Sequence, residues 1–124
     1  DQRRVSSVEL TQAFLDRIAE VNPKINAYVT VADEAALAQA RQADSAIAKG
    51  ERRGPLHGLP ISIKDLAITK GLRTTRGSKA YEHWIPDADD IVSERVRASG
   101  AVFLGKTNTP EFGHRGSVQP PPRV

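Results

Sequence analysis

The 124-residue chain contains no cysteine. That excludes a disulfide framework, a cysteine-based zinc site, a thiol nucleophile and an iron–sulfur cluster. It also contains no methionine, not even at position 1, so a translated product longer at its N-terminus, or one that was trimmed, is expected. Aromatic residues make up only 5%, too few for a stacking platform on nucleic acid. No apolar run approaches the roughly 20 residues of a membrane span. The opening Asp1-Gln2-Arg3-Arg4 leads into an amphipathic stretch, not the apolar core of a signal peptide. The expectation is a cytoplasmic protein that meets neither membrane nor nucleic acid. Charge agrees: 18 basic against 15 acidic residues give a net +3, and arginines 3–4 and 52–53 form pairs, not tracts, which suits a solvated surface. His57, His83 and His114 are too scattered for metal ligation, so no metal or other cofactor is expected.

Large apolar side chains are scarce as well. Val, Ile, Leu and Phe total 29 residues against 16 Ala, which allows a thin core. Ser6-Ser7-Val8-Glu9 has the form of a helix capping box. Leu10, Phe14, Ile18 and Val21 follow at helical spacing as an apolar face, and Asn22-Pro23 should end that helix. A second helix is expected from about Thr30, with an alanine-rich face of Leu37, Ala40, Ala43 and Ile47 and a cap at Gly50. Residues 54–60 hold two Pro and two Gly and should form an irregular connector.

Ile61-Ser62-Ile63-Lys64 alternates as a short strand. Thr69-Lys70-Gly71 reads as a turn, and residues 72–86 as a loop with a helical turn near 78–82. Asp87 or Asp89 can cap a third helix with Val92 and Val96 facing inward and Gly100 at its end. Ala101-Val102-Phe103-Leu104 is a second strand, apolar throughout, as a strand covered on both faces should be. Strand, helix, strand is a βαβ unit, so the two strands should be parallel. The fold class is therefore α/β: N-terminal helices plus a βαβ unit. Such a sheet needs more than two strands, so the chain reads as the opening section of a larger domain. Residues 1–118 would form that section, and the proline-rich residues 119–124 read as a tail.

Ligands of open α/β sheets bind beyond the carboxyl ends of parallel strands. One strand ends at Lys64-Asp65 and the other near Gly105-Lys106-Thr107-Asn108. Lys64 closes an apolar strand and is expected to be partly buried. A lysine taken out of water sheds its proton more readily and can serve as a base. The alternative is a Lys64 paired with Asp65 or another carboxylate, or reaching to solvent. Asn108 and Glu111 lie just beyond the second strand. Glu111 either sits in the first turn of a helix capped by Thr109, or touches substrate or supports the site. Residues 100–107 also match the phosphate-loop pattern G-x-x-x-x-G-K-[ST]. Its variable residues are Ala-Val-Phe-Leu, however, which read as strand and not as a phosphate cradle.

Gly54-Pro55-Leu56-His57-Gly58-Leu59-Pro60-Ile61-Ser62-Ile63-Lys64-Asp65 resembles the opening of the amidase-signature enzymes. Thr74-Thr75-Arg76-Gly77-Ser78 continues the match, followed in order by residues 98–108 and Glu111-Phe112. Ser6–Leu10 and residues 22–27 resemble that family's N-terminal helix and turn, so the likeness covers roughly residues 5–118. The resemblance implies the family's large mixed-sheet fold, incomplete here. It implies hydrolysis of a linear carboxylic amide by a Ser–cis-Ser–Lys triad, with a small-molecule amide as substrate. It is compatible with a homo-oligomer of the full-length protein. Lys64 matches the catalytic lysine, which acts through a bridging serine on the nucleophilic serine. The family's two serines lie in Gly/Ser-rich segments further on. Ser78 and Ser117 do not sit in such contexts and are not assigned as nucleophile. The chain as given is therefore expected to be inactive alone. A non-catalytic fragment or pseudoenzyme needing the rest of the domain is the alternative, and a nucleotide-binding module built on residues 100–107 is a remoter one.

Overall fold

The computed structural model describes residues 5–114. The expected boundary at 118, the tail at 119–124 and Ser117 lie outside the described residues. The elements are α1 (Ser7–Ile25), β1 (Tyr28–Val31), α2 (Asp33–Ala48), β2 (Pro60–Lys64), a short 3-10 turn (Lys79–Tyr81), α3 (Ile91–Ala98), β3 (Val102–Thr107) and a second 3-10 turn (Glu111–Gly113). The three strands form one mixed sheet in the order β1-β3-β2.

The capping box starts α1 as expected. The Ser6 hydroxyl accepts from the Glu9 amide at 3.1 Å, and the Glu9 carboxylate accepts from the Ser6 amide at 2.8 Å. Ser6→Ala should destabilise the chain by about 1 kcal/mol, read as a lowered urea midpoint with unchanged slope. The buried face differs from the expected one. It runs through Ser7, Thr11, Leu15 and Ile18, while Phe14 is exposed. The start of the helix sets this rotation. The Ser7 and Val8 amides donate to the two oxygens of Asp44 on α2, and the Ser7 hydroxyl donates to the Gly58 carbonyl.

Pro23 does not stop α1, which continues to Ile25. Only Lys24 and Ile25 follow it in the helix, so the disturbance from its ring and missing amide has little helix left to break. The helix closes instead at Asn26, in the left-handed region, whose amide donates to the Asn22 carbonyl at 2.7 Å. The Asn22 side chain then bonds both the amide and the carbonyl of Tyr28, turning the chain directly into β1.

That strand corrects a second expectation, since Thr30 lies in β1 and α2 begins only at Asp33. β1 runs antiparallel to β3. The buried face of α2 is Ala36, Ala40, Ala43 and Ala46. These short side chains let α2 pack closely on the sheet and on α1, and the core gathers Leu15, Ile18, Ala36, Ala40, Val102 and Leu104. Its apolar payload is small, and Phe103 is the largest of the fully buried side chains.

β2 and β3 are parallel and joined through α3, as the βαβ reading requires. Asp90, not Asp87 or Asp89, caps α3: one oxygen accepts from the Ser93 amide and the other from the Ile68 amide, both at 2.8 Å. Val92, expected inside, is exposed, and Ser93 takes the buried position. The reason is what α3 faces. It packs on the polar loop that follows β2, where the Ser93 hydroxyl meets that of Thr69 at 3.3 Å. β3 is longer than expected, continuing through Gly105-Lys106-Thr107.

Candidate functional site

β2 and β3 end on the same edge of the sheet, with Lys64 opposite Thr107 and Ile63 opposite Lys106. This is the edge at which open α/β sheets take ligands. Lys64 stands at it with its side chain exposed. The expected partial burial is not found. In β2, Ile63 is the residue that turns into the core, and its neighbour Lys64 therefore faces the other way. The suggested Lys64–Asp65 pairing is not found either. Asp65 is fully buried and engaged elsewhere: both its oxygens accept from the Thr75 amide at 3.1 Å, and one also accepts from the Thr75 hydroxyl.

These bonds tie the end of β2 to a second segment. The Arg76 amide donates to the Asp65 carbonyl at 3.1 Å, and the Asp65 amide donates to the Thr107 carbonyl at 2.9 Å. The Phe112 amide in turn donates to the Arg76 carbonyl at 2.8 Å. Lys64-Asp65, the 74–78 loop and the 107–113 segment are thereby held in one cluster.

Within it, Glu111 accepts a hydrogen bond from the Ser78 hydroxyl at 2.7 Å. It does so from a 3-10 turn preceded by Pro110, not from an α-helix capped by Thr109; Phe112 at φ 51° breaks any helical continuation. Asn108 is tied to the chain entering β1, its amide group donating to the Asn26 carbonyl at 2.9 Å while its oxygen accepts from the Thr109 amide. His57 is a packing residue. Its Nδ1 accepts from the Arg53 amide and its Nε2 lies 3.0 Å from the Ala43 carbonyl, so the proton sits on Nε2. No group of His, Cys, Asp and Glu able to hold a metal ion occurs among the described residues. None of the helices described is long and apolar enough to cross a membrane.

The dry amine of this region is Lys106, which is fully buried. It donates to the Ala67 carbonyl and, at 2.8 Å, to the Thr69 hydroxyl. Burial pushes its pKa down to about 8, while the charges of Asp65, Asp90 and Asp89 pull it back up. This placement disposes of the phosphate-loop reading. Residues 102–107 are strand, and the lysine of the pattern is committed to groups of this same chain. No signal in the sequence singles it out: its burial follows from β3 being the middle strand of the sheet.

A family model described as Amidase matches residues 9–123. The chain is 54% identical over 110 residues to a glutamyl-tRNA(Gln) amidotransferase subunit from Methylobacillus flagellatus, a match that covers 89% of this chain and 22% of that protein. It is 49% identical over 117 residues to the corresponding subunit from Carboxydothermus hydrogenoformans, covering 94% and 24%. Among solved structures, the native peptide amidase from Stenotrophomonas maltophilia superposes with a TM-score of 0.81 at 39% identity, covering 87% of this chain and 22% of that one. A bacterial aryl acylamidase of the amidase-signature family gives 0.83 at 29% identity, covering 92% and 24%. The chain thus spans about a quarter of the length of the relatives it matches.

Proposed function

The chain belongs to the Amidase family, and on that premise we propose that it supplies the lysine of an amide-hydrolysing Ser–cis-Ser–Lys site, with Lys64 as the base. The observation that carries this reading is the position of Lys64. It ends a strand parallel to β3, opposite Thr107, and the next residue is locked through both its backbone and its side chain. An amine so anchored hangs from a fixed backbone at the edge where substrate would lie. In this reading the two serines, and the groups that dry the Lys64 amine, come from polypeptide outside the 124 residues. A hydroxyl is a weak nucleophile until a neighbouring base takes its proton. Lys64, once desolvated by that covering, would take it through the bridging serine and return it to the leaving amine. Glu111 and Ser78 would stiffen the neighbouring loop without touching the reacting atoms.

The test is ammonia release from a small carboxamide by the polypeptide carrying the complete amidase domain, with and without Lys64→Met. A loss of roughly 10²–10⁴-fold in kcat, the usual worth of a positioned acid–base group, is expected; near-normal turnover would remove Lys64 from the mechanism. Brisk hydrolysis by the purified 124-residue chain would contradict the dependence on serines outside it. The identity to amidotransferase subunits, higher than that to the peptide amidase, favours a second reading in which water still takes the acyl group but the ammonia it displaces passes to an activated carboxyl acceptor instead of to solvent. Labelled carboxamide nitrogen recovered in an added activated acyl acceptor, with free ammonia falling to match and the leaving group released, would select it.

A further inference from the structure

We propose that Lys106 is a positioning residue for Lys64: from the opposite face of the sheet, its amine clamps the turn that fixes the end of β2. The inference rests on the reading of Lys64 given above, but its test does not.

Strand partners in register share a face, so Lys106 lies with Ile63 and Lys64 lies with Thr107. Lys106 therefore cannot act on substrate at the Lys64 face. What it touches is the turn that leaves β2. The Ala67 amide donates to the Lys64 carbonyl at 3.0 Å. The carbonyl of that same Ala67 accepts from the Lys106 amine and, at 3.1 Å, from the Thr69 hydroxyl. The Thr69 hydroxyl oxygen also accepts from the amine at 2.8 Å and lies 3.3 Å from that of Ser93 on α3. A continuous set of hydrogen bonds thus runs from α3 through Lys106 to the carbonyl of Lys64. Apart from Lys64 itself, its members are buried or half-buried. Bonds from a cationic donor in such a place are stronger than neutral ones. The charged groups facing the amine are Asp65 at the end of β2 and Asp89 and Asp90 ahead of α3. They hold a cation there despite the cost of drying it.

The arrangement has a pH signature. In the closed turn the Lys106 amine binds its proton less tightly than in water, with a pKa of about 8 instead of 10.5. An opened turn returns the amine to water. Closing therefore becomes more favourable as pH rises from about 8 towards the ordinary lysine value.

The test uses the 124-residue chain and NMR-detected amide exchange, each rate corrected for its intrinsic pH dependence. In Lys106→Met, exchange at the Ala67 and Arg76 amides at about pH 7 should accelerate roughly ten- to a hundredfold, while the α2 amides change little. In the parent chain, protection at those two amides should climb between about pH 8 and 9.5. The Met variant should lose the climb, which a mere space-filling role of the lysine stem would not produce. Unchanged exchange at Ala67, or a climb that survives in the variant, would overturn the proposal. Should Lys106→Met loosen the whole chain, Thr69→Val removes only the hydroxyl and must still loosen Ala67 locally; if it does not, the clamp is refuted. Refutation of the clamp would leave the Lys64→Met assay decisive on its own, and a dispensable Lys64 would leave these exchange rates as they are.

Discussion

Replacing Gly105 with alanine is expected to leave little folded protein. Gly105 sits in the middle strand, opposite Val31 on one side and Ser62 on the other. Both pairings shift register close to it, between Tyr28 and Thr30 and between Ile61 and Ser62, so β3 is irregular where its two neighbours approach. A Cβ at this position would stand 2.1 Å from the Thr30 carbonyl oxygen and 3.0 Å from the Val31 Cα, at a φ of +149°. Those atoms are backbone in a paired strand and have no rotamer to retreat into. Relief requires β1 to separate from β3, with loss of the ladder and of the cover that α2 gives. A cost on the order of 5 kcal/mol or more places this among the exceptional substitutions. A small domain has about 5–15 kcal/mol in total, and one with so alanine-rich a core sits toward the lower end. Far-UV circular dichroism and urea unfolding of Gly105→Ala should show a chain mostly unfolded before denaturant is added. Gly71→Ala is the comparison. It has a φ of +75° but nothing within 4 Å of the added carbon, so it should cost only about 1 kcal/mol. Equal midpoints for the two variants would refute the steric account.

Asp65→Ala should cost about 3 kcal/mol, since hydrogen bonds to a charged group contribute about 1.5–3 kcal/mol each. Three things go wrong together. The Thr75 amide loses its acceptor, the Thr75 hydroxyl loses the group it donates to, and Lys106 loses the first of the charges that oppose its desolvation. Asp65→Asn keeps the shape and one acceptor oxygen, and should cost clearly less. Both variants should drive the Lys106 pKa below its value of about 8, visible as a shifted titration of its Hε resonances. A Lys106 titration that ignores both substitutions would separate the two residues electrostatically.

Much of this architecture was legible because short-range chemistry writes it. The capping box at Ser6, the alternation over Ile61–Ile63 and the strand–helix–strand order each depend on neighbours in the sequence, and each appears as read. β1 was not legible, because its four residues become a strand only by pairing with residues some 75 positions later. Pro23 misled because its effect depends on how much helix remains after it, and here that is under a turn. The two lysines exchange roles for a topological reason. Lys64 was expected to be partly buried because it closes an apolar strand, although alternation puts it on the face away from Ile61 and Ile63. Which strand lies in the middle decides the matter, and only the order β1-β3-β2 reveals that β3 carries its lysine into the interior. The site edge itself followed from the parallel pairing, whereas the anchoring of Asp65 by Thr75 left no trace in spacing or composition.

The middle strand is also the last of the three in sequence. β1 and β2 are not paired with each other, and each waits for β3. As the polypeptide leaves the ribosome, the residues ahead of β3 can assemble helices α1 and α2 but not this sheet. Two unpaired strand segments must therefore be kept from foreign partners until Thr107 emerges. Contacts this distant in sequence are slow to form, and nascent copies would be most vulnerable to aggregation in that interval.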